Sequence, residues 1–153
     1  MKTQYDIEII SDVINHPNNE PISPNLYKLE QDYSIDIRIS DKIYTFVIKK
    51  GFLYDGASVP RIVWTLTGLT KDGLLRAGAL VHDAIYFPEG NLTVNSKDIE
   101  VYYKGVRVNL NLSRKQADII FKKILEKCKV SKRKVFIVYH SVRIGGIIFW
   151  SWN

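Results

Sequence analysis

A single cysteine, Cys128, stands among the 153 residues of the chain. One thiol cannot close an internal disulfide, and it cannot build a cysteine-based zinc cluster. It falls on the apolar stripe of a helix, so it reads as a buried thiol, suited to a reducing compartment or to a particle assembled in one. Histidine is nearly as scarce: only His16, His82 and His140 occur, with no H-x-x-x-H pair to hold zinc on a helix. An HD-type phosphohydrolase would need further histidines before an H-D pair. There is no P-loop, no G-x-G-x-x-G and no G-x-S-x-G, which disfavours an NTPase, a dinucleotide enzyme and an α/β-hydrolase. Repeats and low-complexity tracts are absent. No long apolar run occurs either. The opening MKTQYDIEII alternates apolar residues with Asp6 and Glu8 and does not read as a signal peptide. The stretch 135–152 is apolar but interrupted by His140, Arg143, Gly145 and Gly146, so it reads as a buried helix and not a membrane span.

What is present is ordinary for a globular protein: 46% hydrophobic and 25% charged residues. The length suits one domain over 1–153, mainly β across 1–54 and mainly helical across 58–150. Net charge is +6, and it is uneven. The segment 122–134, KKILEKCKVSKRK, holds seven Lys or Arg against one Glu. Such a run reads either as a contact for phosphates, from nucleic acid or anionic lipid, or as a solvated helix–turn–helix connection. No aromatic residues interleave with the charges, so nucleic acid is not favoured. Trp150 and Trp152 suit core packing, with a membrane interface or a partner as the other use.

Periodicity sets the elements. Residues 5–14 begin with Tyr5, Ile7 and Ile9 on one face of a strand. Prolines and asparagines over 16–25 spell a loop. Residues 33–40 alternate cleanly, with Ile35, Ile37 and Ile39 on one side, as a half-buried antiparallel strand does. Ser40, Asp41 and Lys42 turn the chain into a return strand that continues to Tyr54. Either Tyr44, Phe46 and Ile48 or Ile43, Thr45 and Val47 face inward on it. Residues 61–66 form a short helix, and a longer one starts at Thr70 or Asp72 and ends before Pro88. On that helix Gly78 and Ala79 are small enough to let another element come close. Residues 99–111 suggest a second small hairpin around Lys104 and Gly105, an insertion between helices. Ser113 and Gln116 have the spacing of a capping box, opening a helix to about Lys127. A last helix starts at Ser131, and Gly145 and Gly146 cost it about 1 kcal/mol each relative to Ala, which calls for close packing or a break. The fold class is α+β: an N-terminal antiparallel sheet packed by three or four helices around one core.

The polar residues concentrate in 51–87. The turn at Asp55 and Gly56 is followed by Ser58, a helix cap, and by Pro60 and Arg61. The longer helix then carries His82, Asp83 and Tyr86. Neighbours on a helix point about 100° apart, so His82 and Asp83 cannot bond each other but can serve one site from two sides. In the catalytic reading His82 is a base whose ring is held by Asp118 from another helix. Asp83 and Asp55, with loop carbonyls, would hold a hard cation such as Ca²⁺, and the chemistry would be hydrolysis of an ester or related bond. In the structural reading His82 is a core histidine bonded to Asp118, and Asp83 bonds the 55–58 loop, Arg61 or Arg143.

The series G-F-x-x-D-G-A-S-V-P-R, H-D-x-x-Y, S-R-x-x-A-D-x-x-F and V-R-x-G resembles a family of small proteins from bacteriophages and prophages, known as a domain of unknown function. The matching residues are Gly51, Phe52, Asp55 to Arg61, His82, Asp83, Tyr86, Ser113, Arg114, Ala117, Asp118, Phe121, Val142, Arg143 and Gly145. Tyr54 stands where the family usually carries Thr. The resemblance implies a phage origin and no assigned activity. Locally, H-D-x-x-Y followed by a distant Asp also resembles secretory phospholipase A2. There the His is the base, the neighbouring Asp binds calcium, and the later Asp and the Tyr orient the His. Carried over, these are His82, Asp83, Asp118 and Tyr86. The disulfide framework and glycine-rich calcium loop of that family are missing, and its fold has no β-rich half. The expectation is a phage-encoded accessory protein, acting as a metal-assisted hydrolase of lipid or cell-envelope material when a phage enters or lyses its host. Its partners would be other phage proteins or the host envelope, and its place the host cytoplasm or the virion. The alternatives are a non-catalytic virion or tail component and a host-directed inhibitor or ligand-binding protein.

Overall fold

The computed structural model describes residues 3–11, 19–23, 26–54, 76–86, 90–92 and 97–152. Alternation dictates its main sheet. Strand β4 (Tyr33–Ile39) places Tyr33, Ile35, Ile37 and Ile39 inward, none more than 8% exposed. Its hairpin partner β5 (Lys42–Ile48) resolves the ambiguous face: Phe46 and Ile48 are fully buried, while Ile43 is exposed. The turn between them holds Ser40 at positive φ. Strand β1 (Ile7–Ile9) adds to the other edge of β4, pairing Ile7 with Ile39 and Ile9 with Ile37. It is shorter than the sequence suggested, and Tyr5 is exposed. On the far side of β5 lies β8 (Ile99–Tyr103), with Phe46 opposite Val101 and Ile48 opposite Ile99. Strand β9 (Val106–Arg107) completes the antiparallel sheet, in the order β1-β4-β5-β8-β9. The hairpin expected around Lys104 and Gly105 is thus present, between two helices in chain order, and it extends the main sheet.

Two small sheets flank the large one. Strands β2 (Asn19–Ser23), β3 (Leu26–Leu29) and β6 (Leu53–Tyr54) form one, and β7 (Asn91–Leu92) with β10 (Leu110–Asn111) forms the other. Strand β2 corrects the loop expected over 16–25. It sits at a sheet edge with a register shift beside Pro21, where a missing N–H is tolerated. The return strand also stops short of Tyr54. At Gly51, with φ of 94°, the chain leaves the large sheet and enters the small one.

Among the described residues three helices pack in series outward from the sheets. Helix α1 (Arg76–Tyr86) is buried at every position from Ala77 to Tyr86. It packs on β6 and on α2 (Arg114–Lys127), and α2 in turn packs on β1. The capping box opens α2 as its spacing implied: the Gln116 N–H donates to Ser113 Oγ at 3.1 Å, and the Ser113 N–H to Gln116 Oε1 at 2.9 Å. The Gln116 amide also donates to the Gln4 carbonyl at 2.9 Å, tying the first residues to this helix. Cys128 caps the other end of α2, half-buried, with its thiol pKa raised by burial. Helix α3 (Lys132–Trp152) lies outermost, against α2, and runs through Gly145 and Gly146 without a break. Ser131 accepts at its start from the Lys134 N–H. The core is one large cluster between sheet, α1 and α2, continued between α2 and α3 by Phe121, Leu125, Val135, Val138 and Val142. This is the expected α+β architecture. Among the described residues no helix is long and apolar enough to cross a membrane.

Candidate functional site

The close approach anticipated at Gly78 is real, and it sets the site. A Cβ there would lie 3.1 Å from the Phe121 ring, so only a hydrogen lets α1 and α2 come this near. One turn further along α1, His82 meets the edge of Phe121 at 5.1 Å between ring centroids. Another turn brings Tyr86 beside His82 at 3.9 Å. Asp118 approaches from α2, one turn before Phe121. His82, Asp118 and Tyr86 are at most 1% exposed.

Asp118 is the hub. Its Oδ1 faces His82 Nε2 at 2.8 Å and accepts the Tyr86 hydroxyl. Its Oδ2 accepts Arg143 Nη1 from α3 at 2.8 Å, and Arg114 Nη1 stands 3.6 Å away. Arg114 also donates to the Arg143 carbonyl at 2.7 Å, so one guanidinium braces the other's helix. Three helices thus meet on one carboxylate. Burial pushes the Asp118 pKa up, but the His82, Tyr86 and Arg143 contacts prevail and hold it below the ordinary carboxylate range. Tyr86 moves the opposite way: burial, then the Asp118 charge and hydrogen bond, raise its pKa well above the usual phenol range.

These directions assign protons. An ionised carboxylate only accepts, so both His82 Nε2 and the Tyr86 oxygen carry hydrogen toward it. In a neutral ring the nitrogen left without a hydrogen is then Nδ1. The arrangement can hold one imidazole in a single tautomer and orientation. Both arginines keep part of their surface in solvent, Arg143 at 26% and Arg114 at 18%, so the cluster runs from the surface inward to a sealed histidine.

The structure brings together His82, Tyr86, Asp118 and Arg143. It places Arg143 on Asp118, and Asp83 at the position after His82, 2% exposed. Asp55, Ser58 and Arg61 lie outside the described residues, as do the short helix at 61–66 and His16. His140 is exposed on α3, beside Phe136 and Tyr139. Arg114 was missed as a site residue, although its four-residue spacing from Asp118 on a helix was a readable signal. Of the two carboxylates the calcium reading requires, only Asp83 is described. Among the described residues no group of three or more His, Cys, Asp or Glu could hold a metal ion. The loop carbonyls of that reading also lie outside the described residues.

A protein family described as "Protein of unknown function (DUF1353)" matches residues 27–142. The chain belongs to this family. The DUF1353 match takes in β3 to β10, α1, α2 and much of α3, hence His82, Tyr86, Asp118 and Arg114, and ends one residue before Arg143. No curated protein and no solved structure matches the chain.

Proposed function

We propose that this DUF1353 protein is a phage-encoded accessory hydrolase, with His82 as general base, acting on ester bonds of lipid or cell-envelope material when the phage enters or lyses its host. The observation that carries the proposal is the shared oxygen. Asp118 Oδ1 takes both His82 Nε2 and the Tyr86 hydroxyl, two groups one turn apart on α1. A carboxylate that orients a histidine through one nitrogen makes the other nitrogen a directed base. This is also the relation implied by the local likeness to phospholipase A2. The reaction requires an opening that admits water and ester to the sealed ring; His82 Nδ1 then takes a proton from water, and the hydroxide adds to the ester carbonyl. The C–O bond then breaks, and the departing alcohol takes the proton from the imidazolium. Asp118 stays ionised and stabilises that cation, while Tyr86 and the two arginines hold Asp118 in place.

A second reading rests on a different observation. His82 and Asp118 are both 0% exposed, as befits a cluster that only locks three helices together. The protein would then be a non-catalytic virion or tail component. His82→Gln separates the two, because the glutamine amide can still donate to Asp118 but is not basic. Purified protein would be assayed on phosphatidylglycerol vesicles and nitrophenyl esters, with and without millimolar calcium. The catalytic reading expects hydrolysis by the wild type and its loss in the variant, with stability within about 1 kcal/mol of the wild type. No hydrolysis by the wild type on either substrate, or full activity in the variant, removes the base from the account. Recovery of the protein in purified particles would support the second reading.

A further inference from the structure

The seam between α2 and α3 opens into a groove of about 650 Å³ on the side of the molecule carrying the basic segment. Its lining is mixed in a specific way. Val130 and Val135 form the floor, both nearly sealed from solvent, and Phe136 and Tyr139 stand as walls. The Phe136 ring lies 4.2 Å from His140 and is itself 64% exposed, so an aromatic edge is presented to the opening. Lys122 on one helix and Lys132 on the other supply cations. Lys122 Nζ hangs over the Tyr139 ring at 5.3 Å. Among the described residues the carboxylate at the groove is Glu126, faced by Lys123 at 3.9 Å, which offsets its charge. The surrounding segment adds Lys127, Lys129, Arg133 and Lys134.

We infer that this groove binds a single-chain anionic amphiphile, a long-chain carboxylate, with its tail against Val130, Val135, Phe136 and Tyr139 and its head between Lys122 and Lys132. The volume falls in the range of small-molecule pockets, which are mostly apolar with a few placed polar groups. Nucleic acid would want a basic track with stacked aromatics along it, and here the cations flank an apolar trough. A bilayer would want a protruding face, and these residues converge on a concavity. Following the antiparallel helices one turn further, from Lys122 to Asp118 and from Tyr139 to Arg143, the seam reaches the Arg143–Asp118 ion pair. The inference does not depend on hydrolysis at His82.

The test is fluorescence titration of the full chain with cis-parinarate, below its micellar concentration and at low salt. Saturable one-to-one binding is expected, displaced by laurate and at least tenfold less well by dodecanol, which has the chain without the charge. The combined Lys122→Glu and Lys132→Glu variant should weaken parinarate about tenfold or more with an unchanged melting temperature. Phe136→Asp, at an exposed position, should weaken it as well. Non-saturable binding, equal displacement by dodecanol, or wild-type affinity in both variants overturns the inference. So does sedimentation with phosphatidylglycerol vesicles in the absence of parinarate binding, which would make the patch a bilayer contact instead.

Discussion

Asp118→Asn removes one charge from the centre of the cluster and almost no volume. The amide must choose an orientation. With its oxygen toward α1, its NH₂ would face the Arg143 and Arg114 guanidinium groups, donor against donor, where Oδ2 now sits at 2.8 and 3.6 Å. With its oxygen toward the arginines, the NH₂ faces His82 Nε2 and the Tyr86 hydroxyl. The second is the better choice, since both groups can turn acceptor. His82 then changes tautomer, and Nδ1 becomes the protonated nitrogen. Removing one member of a buried ion pair costs about 3–5 kcal/mol when the remaining charge stays buried. Here the arginines are 26% and 18% exposed and can rehydrate, so the expected loss is about 2–3 kcal/mol. In urea this lowers the midpoint by about 1–2 M with an unchanged slope. Nitrogen-15 NMR of the His82 ring reads the tautomer directly. If His82 is a base, hydrolysis should fall by a large factor, on the order of the 10⁴ seen when the equivalent exchange gives the wrong tautomer in a Ser-His-Asp triad. A stability change under about 1 kcal/mol, or an unaltered tautomer, would refute the claim that Asp118 is an ionised hub.

Acid offers an independent check on the same carboxylate. Its folded pKa lies below the unfolded value near 3.8, so its stabilisation is present above that value and lost as pH falls through the folded one. Asp118→Asn should therefore show a shallower loss of stability than the wild type on titration below pH 4. Tyr33 governs the alkaline side. Burial, then the neighbouring Cys128, push its pKa up to about 12. A raised folded value stabilises below the unfolded pKa of 10.0 and is lost as pH climbs toward 12. Tyr33→Phe should remove roughly 1.4 kcal/mol of that alkaline decline, read by comparing urea midpoints at pH 8 and pH 11, midway through the window between the two pKa values. Gly78→Val puts branched carbon where a bare Cβ already lies 3.1 Å from Phe121, and should cost about 2 kcal/mol or more by thermal unfolding. Full stability in that variant would mean that α1 and α2 are not held at this distance.

Strand β4 and its turn into β5 were readable because a period of two over seven residues leaves one consistent inward face. Strand β2 was not. Pro21 and Asn19 carry the chemistry of a loop, and only the edge position, a tertiary fact, makes them a strand. The exit at Gly51 was hidden for a related reason: apolar residues continue on both sides of it, while the backbone turns between two sheets. The capping box at Ser113 was legible because it is wholly local. Tertiary contacts such as the one that buries Gln116 against the Gln4 carbonyl leave no local trace.

The candidate site divides along the same line. Helical spacing alone puts His82 and Tyr86 on one stripe and Arg114 beside Asp118, so the cluster's membership was partly written in intervals of four. Its setting was not. The sequence of α1, RAGALVHDAIY, suggests a helix with one polar side, yet every position from Ala77 onward is buried. A short helix rich in Gly and Ala can sit between a sheet and another helix, and packing then decides which faces meet water. That burial bears on both readings. A sealed His82–Asp118 pair costs much to bury, and apolar residues of similar volume often stabilise such a position as well or better. A structural lock and a directed base would both keep the hydrogen bond from this position to Asp118. The discriminating quantity is therefore what His82 does that glutamine, with the same hydrogen bond, cannot.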